Sequence, residues 1–145
     1  MFIVNVEAAI RKKERFLIIK RSEKEEHAGG LLSLVGGKVE LEGNIYDILE
    51  KTVKREIFEE VNVEVKDEFQ YVNSSSFVTD QGDAVVNVVF LCKYKEGEAY
   101  PKSEEEVDSV YWLTAEEILA HPNAPEYLKE SIMIAEKLHR KGIAE

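Results

Sequence analysis

Ile45, Leu49, Val53, Ile57 and Val61 recur at every fourth position, with Ile48 beside them. That period sets them along one stripe of an α-helix and predicts a helix over residues 47–61. A helix with one apolar stripe must cover it with other elements, and the flanking sequence supplies strands. Residues 2–10 and 16–20 are apolar, strand-like runs joined by a basic tip at 11–15, which predicts a hairpin. Residues 22–37 read as a loop, with Gly29-Gly30 and Gly36-Gly37 as flexible points. Residues 63–65 and 69–77 read as extended. Residues 84–92 form a nearly continuous Val-rich run, which suits a strand covered on both faces. A short strand is predicted at 110–113, and Thr114-x-x-Glu117 is a capping-box pattern that opens a short helix. Pro122 and Pro125 break the chain before an amphipathic helix over 126–140, whose stripe packs inside the domain or against a partner chain as a homodimer. Strands on both sides of a helix, with a further helix at the end, make a mixed α/β layered domain.

Length and charge narrow what such a domain does. At 145 residues and 44% apolar composition, one domain spanning 1–145 is expected, with enough apolar material for a packed core. The net charge of −10 argues against extended nucleic acid and anionic membranes as partners. It leaves small anionic ligands open, because a bound divalent cation inverts the local charge. Cys92 is the single cysteine, so no internal disulfide forms and a reducing cytoplasm is the expected compartment. No apolar run reaches the roughly 18 residues of a membrane span. The opening MFIVNVEAAI, which carries Glu7, reads as a first strand and not a targeting segment.

The chemistry concentrates in Arg55-Glu56-Ile57-Phe58-Glu59-Glu60. On a helix Glu56, Glu59 and Glu60 stand three or four apart and project to one side. Carboxylates that close repel, and they sit near a helix C-terminus, where the dipole already disfavours anions. A hard divalent cation would relieve both effects, since Mg²⁺ takes carboxylate oxygens and keeps waters and phosphates as its other ligands. Arg55, four residues before Glu59, could hold that side chain. The alternative is a solvated acidic face.

Together with Gly36-Gly37-Lys38-Val39-Glu40 upstream, this segment resembles the box of the Nudix hydrolases, Gly-x5-Glu-x7-Arg-Glu-U-x-Glu-Glu-x-Gly-U, with U a bulky aliphatic. Gly37 would open the box and residues 55–63 close it. The hairpin, the Leu34-Val35-Gly36-Gly37 approach, and Glu106 followed by Trp112-Leu113 and Glu116-Glu117 extend the likeness over most of the chain. There are departures. The first box Glu falls on Asp47, with nine residues between it and Gly37 where the pattern has five, and Asn62 replaces the closing Gly. Asp47 could cap the helix, and Asn62 tolerates the left-handed conformation that ends one.

The resemblance implies a Nudix-like α/β/α sandwich with a mixed β-sheet. It also implies Mg²⁺- or Mn²⁺-dependent hydrolysis of a pyrophosphate bond in a nucleoside diphosphate linked to another group, with a small nucleotide as the partner molecule. By that resemblance Glu56, Glu59 and Glu60 are metal ligands, the Gly37 carbonyl is a further one, one of the glutamates serves as general base, and Arg55 orients Glu59. A distant acid often joins such sites; Glu106 matches best, although Glu104 and Glu105 are its neighbours. Lys38 could touch a phosphate or face solvent. Arg21 could face the pyrophosphate or end its strand in water. The other reading of function is a nucleotide-sensing module on the same fold without significant catalysis. His27, His121 and His139 have no zinc spacing. Cys92 reads as a packed small residue, and Ser74-Ser75-Ser76 as a turn.

Overall fold

The computed structural model describes residues 1–25 and 27–144. Its organising strand is β1 (Phe2–Lys12). Along one side β1 pairs in parallel with β6 (Ala84–Glu96), from Phe2 opposite Ala84 to Arg11 opposite Lys93. Its other side is divided. Arg11 and Lys12 pair with the start of β2 (Arg15–Arg21), while Asn5 to Ala8 pair with β4 (Val35–Lys38). The predicted hairpin therefore holds at its tip only, because β4 takes the rest of that edge. β2 turns instead to β3 (Leu32–Ser33) and β7 (Val107–Thr114). β5 (Glu64–Val78) lies antiparallel to β6 at the far edge.

Strand alternation gives the sheet two apolar faces. Leu17 and Ile19 on β2 join Val53, Ile57 and Val61 of α1 (Ile48–Val61) on one face. Phe16 and Ile18 join Ile118 of α2 (Ala115–Leu119) and Leu128, Ile132 and Ala135 of α3 (Glu126–Ala144) on the other. The fourfold stripe of α1 is thus its buried face from Leu49 to Val61, whereas Ile45, expected in the stripe, precedes the helix and is exposed. Val53, Ile57 and Val61 are fully buried, each worth roughly 1.5–3 kcal/mol of apolar transfer. The stripe of α3 packs on this chain's own sheet. β6 is covered on both faces as predicted, with Phe90 and Cys92 on one side and Val89 and Leu91 on the other. Burial pushes the Cys92 thiol up to about 12, which keeps it a neutral packing group. The Thr114 capping box forms in full: Glu117 N–H donates to Thr114 Oγ1 at 3.2 Å, and Thr114 N–H donates to Glu117 Oε1 at 2.9 Å. Among the described residues no helix is long and apolar enough to cross a membrane.

Three local expectations need correction. The 22–37 segment is not all loop, since it contains β3 and the start of β4. Gly36 and Gly37 are strand residues, not flexible points. A Cβ on Gly36 would collide with the Val6 carbonyl, and one on Gly37 would overlap the Glu56 carboxyl. These glycines serve close approach. Asp47 does occupy the N-cap position of α1, but in the left-handed conformation (φ 56°), and its side chain makes no capping bond. The first-turn contact there is Lys51 N–H donating to the Asp47 carbonyl. At the other end the expectation for Asn62 holds: it ends the helix at φ 63°, its N–H donating to the Phe58 carbonyl. Finally, Ser74-Ser75-Ser76 are not a turn: they pair with Val88, Asn87 and Val86 inside the long strand β5, which takes in the extended residues 64–65 and 69–77 and is irregular between Val65 and Phe69 and between Tyr71 and Asn73.

Candidate active site

A cleft of about 310 Å³ takes side chains from β1, β2, β4 and α1. Glu56 and Glu60 enter it one helical turn apart. Glu106 enters from the segment between β6 and β7, and one carboxylate oxygen of each of the three lies within 4.8 Å of the others. Backbone bonding at the end of α1 brings Glu106 there. The Glu60 carbonyl accepts from Lys102 N–H (2.9 Å) and Ser103 N–H (3.3 Å), and the Val61 carbonyl accepts from Tyr100 N–H (3.2 Å). One segment thus satisfies carbonyls that a helix end would leave unpaired and carries Glu106 to the site. The Glu106 carbonyl then accepts from Ser22 N–H at 3.0 Å, which ties it to the end of β2. Arg21 sits there, at a register shift of the β2–β7 pairing.

The electrostatics are strained. Glu60 is 5% exposed, and its Oε2 is buried with no hydrogen-bond partner. Burial first, then the charges of Glu106 and Glu56, push its carboxyl up to about 9, against a smaller pull down from Arg21. Burial also raises the Glu56 carboxyl, opposed by Arg55. An orphaned buried oxygen inside a ring of acids fits a cation, and the all-oxygen donor set suits a hard one. Glu56, Glu60 and Glu106 could hold it.

Glu59 stands apart from that ring. Its side chain is 56% exposed, and Arg55 Nη1 lies between it and the ring, 3.9 Å from Glu59 Oε2 and 3.6 Å from Glu56 Oε1. The sequence grouped Glu59 with Glu56 and Glu60; the helix rotates it outward, and Glu106 takes the third place. Gly37 lines the cleft against Glu56, and Lys38 lines it too. Arg21 also lines the cleft and does not merely end its strand: its Nε donates to the His27 carbonyl at 3.1 Å, and its Nη2 lies 3.6 Å from Glu25 Oε2. Sequence reasoning gave no role to Glu7, Asn5 or Glu25, which also line the cleft. The signal for Glu7 was present, a carboxylate between Val6 and Ala8 in an otherwise apolar strand. The histidines lie elsewhere: His27 stacks on Phe77, and His121 Nδ1 accepts from Asn123 N–H. His139 lies against Arg11, beside Glu136.

Helices on both faces of a mixed sheet, with helix carboxylates gathered behind a glycine strand, define an α/β/α sandwich with an acidic centre. The chain belongs to the NUDIX domain family, whose model matches residues 1–132. No curated protein matches it in sequence. Among solved structures it is similar to a MutT protein from Methanosarcina mazei Go1 (TM-score 0.77, 25% identity, covering 96% of each chain). It is also similar to a MutT NUDIX hydrolase from Burkholderia pseudomallei (TM-score 0.76, 24% identity, 92% of this chain and 97% of the other). An ADP-ribose pyrophosphatase from Streptococcus suis shares the fold (TM-score 0.67, 20% identity, 97% of this chain and 93% of the other).

Proposed function

We propose that this chain, a hydrolase of phosphoric anhydrides by family, cleaves the pyrophosphate link of a nucleoside diphosphate derivative with the help of Mg²⁺ or Mn²⁺. The observation that carries this is the buried, unpartnered Glu60 Oε2 inside the Glu56–Glu60–Glu106 ring. Such an arrangement is costly unless a cation completes it. A bound cation neutralises phosphate charge and acidifies water. The residues of the chain do the rest. Arg21 and Lys38 supply positive charge on the cleft wall, where a diphosphate meets the acids. Arg55 fixes Glu56 and holds Glu59 at the rim, where Glu59 can accept a proton from water. Gly37 lets β4 approach Glu56 of α1, and Gly36 lets it approach the β1 backbone, without side chains in the way.

Glu60→Gln tests this. It removes a charge and keeps the shape, so metal-dependent release of phosphate, pyrophosphate or nucleoside monophosphate from a panel of nucleoside triphosphates, nucleotide sugars and ADP-ribose should fall on the order of 100-fold or more. Undiminished turnover would overturn the assignment.

A further inference from the structure

Glu106 is the member of the acid ring that packing holds least. Glu56 and Glu60 stand on α1, whereas Glu106 is exposed and lies in a turn just before β7. Besides the Ser22 bond to its carbonyl, that turn hangs on Ser103. The Ser103 carbonyl accepts from Glu106 N–H at 3.1 Å and from Val107 N–H at 2.9 Å. Ser103 itself reaches α1 through a long bond, 3.3 Å, to a Glu60 carbonyl that Lys102 N–H already takes at 2.9 Å. The joint between α1 and the Glu106 turn is therefore residues 102–103.

Two side chains meet at that joint. Phe58 is a large aromatic, 44% exposed, on the last turn of α1 and off the stripe of Val53, Ile57 and Val61. Lys102 is exposed, and it is the only cation among residues 96–117, which hold eight acids. Lys102 Nζ lies 3.7 Å from the centroid of the Phe58 ring. An ammonium so placed is attracted by the negative face of the ring. Backbone and side chain of Lys102 thus both grip the last turn of α1, at Glu60 and at Phe58. Neither Lys102 nor Phe58 lines the cleft.

We propose that Lys102 and Phe58 are positioning residues: their contact clasps the 100–106 segment to the end of α1 and so keeps Glu106 in the acid ring, ready for a cation. The inference deepens the metal-assisted reading above and rests on it for the cation. Apparent affinity scales with the fraction of molecules already in the competent arrangement, so a turn that opens more often binds metal more weakly. The sign is diagnostic. By charge alone, removing a lysine beside an acid ring strengthens cation binding. Removing a clasp weakens it.

Two measurements test this. In the metal-free protein, Lys102→Gln should speed hydrogen exchange of the residue 102 and 103 backbone amides about two- to fivefold, the opening expected when one exposed cation–π contact is lost. Phe58→Leu should do the same, and Lys102→Arg, which keeps a cation over the ring, should exchange at close to the parent rate. In calorimetry, Mg²⁺ affinity should fall about two- to fivefold in Lys102→Gln and in Phe58→Leu, and no further in the double variant. In a Glu106→Gln background, Lys102→Gln should no longer weaken Mg²⁺ binding, because the clasp acts through Glu106. Unchanged or tighter Mg²⁺ binding in Lys102→Gln overturns the inference. So does a loss of affinity that persists in the Glu106→Gln background, or one that Phe58→Leu does not share. Neither readout needs turnover. Undiminished turnover in Glu60→Gln overturns the hydrolase reading and leaves the exchange result in place, whereas unchanged exchange in Lys102→Gln removes the clasp and leaves that reading standing.

Discussion

Gly37 and Glu56 share one volume: the space where a Gly37 side chain would begin is filled by the Glu56 carboxyl. Gly36, one residue earlier, meets the backbone of Val6 and Glu7. The two glycines therefore predict different losses. Gly37→Ala should fold, since a side chain can swing away, but with Glu56 displaced it should lose about tenfold or more in metal affinity and turnover. Gly36→Ala must move a strand and should cost about 1–3 kcal/mol of stability. Chemical denaturation and Mg²⁺ titration of both variants check the contrast; equal behaviour would contradict it.

The raised Glu60 carboxyl makes stability depend on pH and metal. A group whose folded pKa stands near 9, above its ordinary 4.5, stabilises the metal-free protein fully only below about pH 4.5. That contribution fades as pH rises toward about 9. In chelator, the Tm should therefore fall between about pH 6 and pH 9, and Mg²⁺ should oppose the fall. Apparent metal affinity should rise with pH, at most about tenfold per unit for each proton released. A pH-independent affinity measured by calorimetry would show that Glu60 is already ionised without metal.

Arg55 should matter to chemistry more than to stability. Its ion pairs with Glu56 and Glu59 are 3.6 and 3.9 Å long and its side chain is 37% exposed, so they are worth under about 1 kcal/mol. Arg55→Ala should shift the Tm little yet lower kcat about tenfold or more, through the freed glutamates. A large Tm drop with kcat intact would reverse that order.

Asn62 ends α1 in the left-handed region and also donates from Nδ2 to the Glu98 carbonyl at 3.3 Å. Asn62→Val should cost about 1–2 kcal/mol by thermal or urea unfolding, because a β-branched residue strains there. Asn62→Gly should stay within about 1 kcal/mol of the parent, trading the side-chain bond for an unstrained backbone. Equal losses in both would point to the Glu98 contact as the main term.

Much was legible in the sequence because it is local or periodic. The spacing of Leu49, Val53, Ile57 and Val61 determined a helix and its buried face. The run 84–92 determined a strand covered twice, Thr114 and Glu117 determined a helix start, and the acids after Arg55 pointed to a cation. What the sequence left open depends on where separate segments meet. Counting along the chain could not choose among Glu104, Glu105 and Glu106; the bonds from 100–103 to the end of α1 turn Glu106 inward. Helical spacing alone put Glu59 with Glu56 and Glu60, and only the packing of Val53, Ile57 and Val61 on the sheet fixes the rotation that sends Glu59 to the rim. Glu7 looked like an isolated charge in a strand until register set it beside Asn87, 80 residues away, and on the wall of the cleft. Periodicity fixes which face of an element is buried, whereas the composition of a cleft follows from strand register and loop closure, which are long-range.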